Sequence, residues 1–78
     1  MHHTPGYMPW NGLGARLRRA REQRGLLLSA VAKLLGVSRQ TLHRWETDAF
    51  EPSVEMLARL SELYGVTIDF LIHGDTAA

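Results

Sequence analysis

Gly36-Val37-Ser38-Arg39-Gln40-Thr41-Leu42-His43-Arg44-Trp45-Glu46 is the stretch on which the reading of this chain turns. Ser38 suits a helix N-cap, because its hydroxyl can accept from an orphan backbone N–H of the first turn. Winding the helix onward from Arg39 at about 100° per residue gathers Arg39, Gln40, His43 and Arg44 on one arc of roughly 140°. Ser38, Thr41, Leu42 and Trp45 lie behind that arc. A helix with an apolar back and a hydrogen-bonding front is built to be anchored on a core and offered to a polar surface. The DNA major groove suits this front, since arginine donates twice to guanine O6/N7 and glutamine pairs twice with adenine N6/N7.

Arg39 follows the cap directly, where a cation opposes the helix dipole at a cost of about 0.3–1 kcal/mol. A solvated surface arginine is the plain reading of that position. A phosphate or a guanine edge, which helix N-termini also favour, is the functional one. The charge distribution supports the second. Residues 1–45 carry eight arginines and lysines against one acid, a net +7, whereas residues 46–78 carry Arg59 against seven acids, a net −6. The total of +1 conceals one basic and one acidic half, an arrangement that presents a single face to phosphates.

Working outward, residues 1–11 hold Thr4-Pro5-Gly6 and Pro9 without periodicity and read as a flexible arm, from which Tyr7, Met8 and Trp10 can pack back. Asn11 is the expected N-cap of a first helix over about Gly12 to Arg24, with Leu13, Leu17 and Ala20 as its apolar stripe. A second helix, Leu28 to Leu35, places Val31, Ala32 and Leu35 inward. Ser53 caps a fourth, and Thr67 caps a short fifth. Gly25, Gly36, Gly65 and Gly74 close these segments, as glycine tolerates the left-handed conformation at a helix end. The expected architecture is all-α: a compact bundle of five short helices in a domain over residues 12–74, with a tail at 75–78.

No cysteine is present, so neither a disulfide framework nor a thiolate metal site exists. His2 and His3 are too few for a metal site. The first twelve residues lack signal-peptide order, and no stretch reaches membrane-spanning length. These readings predict a soluble, cytoplasmic protein, associated with the nucleoid when bound.

Arg21-Glu22-Gln23-Arg24-Gly25, the run Ala32 to Leu42, then Trp45-Glu46, Pro52-Ser53 and Tyr64-Gly65-Val66 together resemble the phage-repressor-like (Xre-type) helix-turn-helix family, a lambda-repressor-like DNA-binding domain. The likeness runs from about Leu13 to Gly74. It implies that Arg39, Gln40, His43 and Arg44 contact bases and that Thr41 lies near a phosphate. It also implies that Arg21 and Glu46 form an internal structural ion pair. Ser38, Arg16 and Arg19 are further candidates for phosphate contact, and Arg18 is an alternative on the same helix.

Three features depart from the family pattern. A polar cap and a phosphate-holding glutamine usually open the second helix, where this chain has Leu27 and Leu28, unless Ser29 caps a slightly later start. The loop after the third helix, normally carrying glycine and basic residues, reads Thr47-Asp48-Ala49-Phe50-Glu51. Asp48 can supply the left-handed backbone but repels a phosphate. Affinity is therefore expected to be weaker, or more dependent on dimerisation, than the fold suggests. Leu27, Leu28 and Phe50 mark either a partner surface or a repacked core edge. The fourth helix carries two stripes, Val54/Leu57/Ser61/Tyr64 and Met56/Leu60/Leu63. The second of these, with Ile68 and Ile72, is either a dimer seam or part of one wide buried face.

The function expected from these residues is sequence-specific binding of double-stranded DNA by a homodimeric transcriptional regulator, a repressor or a DNA-binding antitoxin. The alternative is a protein-interaction module on the same scaffold. No spacing suggests catalysis, a cofactor, a metal or a small-molecule ligand. His43, facing phosphates, would strengthen binding as pH falls from 8 to 6.

Overall fold

The computed structural model describes residues 12–74. The expected arm and tail, with Tyr7, Met8, Trp10 and Asn11, lie outside the described residues. Within them run α1 (Leu13–Gln23), α2 (Leu28–Leu35), α3 (Arg39–Glu46), α4 (Val54–Tyr64) and α5 (Ile68–His73), with no strand. The three polar caps are formed as expected. Ser38 accepts from the Thr41 N–H at 3.0 Å, Ser53 from Met56 at 3.1 Å and Thr67 from Phe70 at 2.9 Å. Such caps are worth about 1 kcal/mol each.

The other two helices begin differently. Leu27 holds the cap position of α2 and supplies no side-chain acceptor, and Ser29 lies inside the helix. At α1 the cap position falls on Gly12, again without a side-chain bond of its own. The acceptor comes from far along the chain. Asp48 Oδ1 accepts the Gly14 N–H at 2.9 Å, which puts a carboxylate at the positive end of α1, where the dipole favours it. Asp48 does adopt the left-handed backbone, with φ of 63°. Gly14 is buried, and a Cβ there would stand 2.6 Å from the Glu46 carbonyl oxygen and 2.8 Å from Asp48 Oδ1. Only glycine admits this approach.

Each helix contributes to one core: Leu13, Leu17 and Ala20; Val31, Ala32 and Leu35; Leu42 and Trp45; Leu57, Leu60 and Tyr64; Leu71. Leu17, Leu42 and Leu60 are wholly inaccessible, so truncating any of them to alanine costs about 2–5 kcal/mol. The two stripes of α4 are not separate. Leu57, Tyr64 and Leu60 are buried together, Met56 and Leu63 pack partly against them, and Val54 is 70% exposed. One wide inward arc is the observed arrangement.

The turn between α2 and α3 is tight. Gly36 takes φ of 74° at the end of α2, which a side chain would strain by about 1–2 kcal/mol. Val37 N–H then donates to the Ala32 carbonyl at 3.0 Å. With α3 resting on both α1 and α2, this turn sets the angle at which α3 leaves the core. On the opposite side of α1, Arg16 donates from Nε to the Leu71 carbonyl and from Nη2 to the Ile72 carbonyl, both at 2.7 Å. A cation at the C-terminal end of α5 complements its dipole.

Candidate nucleic-acid interface

The two sides of α3 are chemically distinct. Leu42, Trp45 and Glu46 are buried, Thr41 is half-buried, and Arg39, Gln40, His43 and Arg44 are exposed. Leu42 and Trp45 drive the helix onto the core, and the 3.6-residue repeat then leaves the four polar side chains outward. At the start of α3 the Ser38 hydroxyl donates to Thr41 Oγ1 at 2.9 Å while accepting the Thr41 N–H. Two hydroxyls therefore sit together at the positive end of the helix, where anions are favoured.

The far end of α3 is secured by Glu46. Its carboxylate accepts from Arg21 Nε at 2.7 Å and from Arg21 Nη2 at 3.0 Å, a bidentate pair. Arg21 Nη1 also donates to the Leu26 carbonyl at 2.9 Å. The Glu46 hydrogen bond, opposed by desolvation, raises Arg21 above the ordinary guanidinium range. Nearby, burial and the Glu46 charge push the Tyr64 phenol up, against the pull of Arg21. Removing one partner of such a pair strands a buried charge, at about 3–5 kcal/mol. Arg21 and Glu46 are thus structural, and they hold the last turn of α3 to α1.

Arg39, Gln40 and His43 border a cleft of about 320 Å³ together with Leu28. A second cleft, of about 190 Å³, joins Leu28 and His43 to Arg18, Arg21, Glu46 and Thr47. Arg18 therefore neighbours the outward face of α3, where it pairs with Glu22 at 3.0 Å on the exposed surface. Arg16 and Arg19 do not join this group; they line a cavity of about 350 Å³ with Gly12, Ala15, Phe70 and Gly74 beside α5. The helical repeat of α1 contains this distinction, because positions 18 and 21 share a face, but a sequence alone does not say which face meets α3.

Leu27 is 71% exposed and Phe50 60%, whereas Leu28 is half-buried. The Arg44 guanidinium lies 5.6 Å from the centroid of the Phe50 ring. Met56, Leu63, Ile68 and Ile72 are half-buried at the α4–α5 side. Among the described residues no cluster of His, Asp and Glu is placed to hold a metal. No helix there is long and apolar enough to cross a membrane.

Two helices joined by a glycine turn, the second seated on the core and turned outward with Arg, Gln, His and Arg, define a helix-turn-helix domain. The Helix-turn-helix family model matches residues 17–71, and the chain belongs to that family. It is 36% identical over 64 residues to the SPbeta prophage-derived uncharacterized HTH-type transcriptional regulator YonR of Bacillus subtilis (strain 168), covering 82% of this chain and 59% of that protein. Against the HTH-type transcriptional regulator ImmR of the same organism it is 35% identical, over 81% of this chain and 50% of the relative. Repressor protein C2 of Salmonella phage P22 is 33% identical over 81% of this chain and 29% of its own length. The chain thus spans about half the length of the first two regulators. The crystal structure of the P22 c2 repressor with synthetic operator 9T superimposes with a TM-score of 0.75 at 33% identity, covering 81% of this chain and 96% of that one.

Proposed function

We propose that this chain is a sequence-specific DNA-binding transcriptional regulator, a repressor acting in the cytoplasm as a homodimer on a pseudo-palindromic operator. The observation that carries the reading is the division of α3. Arg39, Gln40, His43 and Arg44 are all exposed on one side, while Leu42, Trp45 and Glu46 hold the helix from behind. Inserted in a major groove, the outward arc meets base edges. Ser38, Thr41 and Arg18 flank it as phosphate contacts, leaving Arg16 to hold α5. Met56, Leu63, Ile68 and Ile72 are half-buried, and the surface they leave exposed beyond the core supplies the dimer seam, which spaces two α3 helices about one DNA turn (~34 Å) apart. Likeness to a repressor solved on its operator supports this reading.

Fluorescence anisotropy on duplexes tiling the region upstream of its own gene tests it, with Arg39→Ala alongside. The expected result is tight binding to one tile, with preference lost in the variant while non-specific binding persists. Equal weak binding to every tile, unchanged in Arg39→Ala, overturns it. That outcome would favour the second reading, an antitoxin or protein-interaction module, to which the exposure of Leu27 points.

A further inference from the structure

We propose that Phe50 is a positioning residue for Arg44, a platform in the α3–α4 loop that holds this guanidinium ready for a guanine edge. The inference rests on the DNA-binding reading above. Phe50 is 60% exposed in a loop that otherwise reads Thr, Asp, Ala and Glu, so its ring is free to meet a surface side chain. Its position follows from Arg44 itself. The Ala49 and Phe50 N–H groups both donate to the Arg44 carbonyl, at 2.9 and 3.2 Å, so the loop folds back over the residue whose side chain the ring meets. The guanidinium carbon then lies 5.6 Å from the ring centroid, within the range of a cation–π contact.

The chemistry of the two interactions is compatible. Stacking uses the face of the guanidinium, whereas bidentate donation to guanine O6 and N7 uses its edge. Arg44 makes no ion pair among the described residues, so the ring is what restrains it. A free arginine surrenders much rotamer freedom on binding; one already stacked surrenders less, and the difference appears as affinity. Phe50 thereby acts on base selection without touching a base. Its exposure, which could equally serve a protein partner, is accounted for by the residue beside it.

The test uses the full chain and a duplex selected by the wild-type protein from a random pool, with a series of duplexes in each of which one G·C pair of the selected site is changed. Phe50→Leu keeps the apolar bulk and removes the ring, and Phe50→Tyr keeps the ring. Phe50→Leu is expected to weaken binding to the selected duplex about two- to fivefold, with an unchanged salt slope because no charge is lost. Phe50→Tyr restores it. In an Arg44→Ala background the effect of Phe50→Leu vanishes, and the base pair whose change abolishes that effect is the one Arg44 reads. In the free protein, the Arg44 Hε resonance is shifted upfield by the ring in wild type and not in Phe50→Leu.

Wild-type affinity in Phe50→Leu, or a loss that persists without Arg44, overturns the proposal while leaving the DNA-binding reading intact. If the wild-type protein selects no sequence from the pool, both fail together.

Discussion

Replacing Gly14 by alanine sets helix propensity against a close approach. Alanine is favoured over glycine inside a helix by about 1 kcal/mol, and an isolated α1 would gain from the change. In the folded chain the new Cβ would stand 2.6 Å from the Glu46 carbonyl oxygen and 2.8 Å from both the Glu46 carbonyl carbon and Asp48 Oδ1. Glu46 cannot retreat freely, because its carboxylate is held at two points by Arg21. Either the backbone of α1 shifts, an overpacking penalty of about 1–3 kcal/mol, or Asp48 lets go of the Gly14 N–H, losing a charged hydrogen bond worth about 1.5–3 kcal/mol. Against the gain of about 1, the net is a destabilisation of up to about 2 kcal/mol. For a domain of this size that lowers Tm by up to about 15 °C. Thermal unfolding followed by circular dichroism at 222 nm, with urea midpoints as a second measure, reads it directly. An Asp48→Ala background should absorb part of the effect, since one of the two obstructing groups is then gone. A Gly14→Ala protein more stable than wild type, showing the helix-propensity gain without a penalty, would refute the account of this contact.

Further outcomes follow from the same geometry. Glu46→Ala should cost about 3–5 kcal/mol in urea denaturation, because it leaves Arg21 nearly buried and unpaired. The Tyr64 phenol is held above its ordinary value of 10.0, so its contribution to stability is complete below pH 10 and is lost as pH rises beyond. The folded chain should lose up to about 1.4 kcal/mol per pH unit there, and Tyr64→Phe, which also deletes a buried hydroxyl with no partner among the described residues, should flatten that limb. Arg18→Ala should reduce the log–log salt slope of DNA binding by about 0.9, whereas Arg16→Ala should leave the slope unchanged and lower Tm, since its guanidinium is engaged with α5. Leu28→Gln, placing an amide donor beside Arg39, Gln40 and His43, should raise affinity several-fold on every duplex if it meets a phosphate; a gain confined to one sequence would contradict that role.

The parts of the fold legible in the sequence are those with local causes. The end of α2 and the start of α3 follow from residues within a turn of each: Gly36 closes one helix, Ser38 caps the next, and the spacing of Val31, Ala32, Leu35, Leu42 and Trp45 turns both inward. The outward arc of α3 is a consequence of the same repeat. What was hidden depends on residues far apart in sequence. No local signal tells that Asp48 caps α1 across 34 residues, or that Gly14 is required to let it. Arg16, Arg18 and Arg19 point around the helix, so the sequence offers all three as phosphate contacts. Only packing turns Arg16 toward α5 and Arg18 toward α3. Likewise the stripes of α4 merge into one because the core on that side is wide enough to take both.

The separation of the two sides of α3 bears on how such a domain can diversify. Residues that hold the helix and residues that face outward share no side-chain hydrogen bond with one another, so the outward set can be exchanged while the scaffold keeps its stability. A lineage can therefore drift through new target sequences without passing through unfolded intermediates, and a designer can graft a foreign set onto this backbone. Arg44 is the exception to that freedom. Its partner lies outside the helix, so a transplant limited to α3 would carry over an arginine without the ring that steadies it; positions 44 and 50 have to travel as a pair.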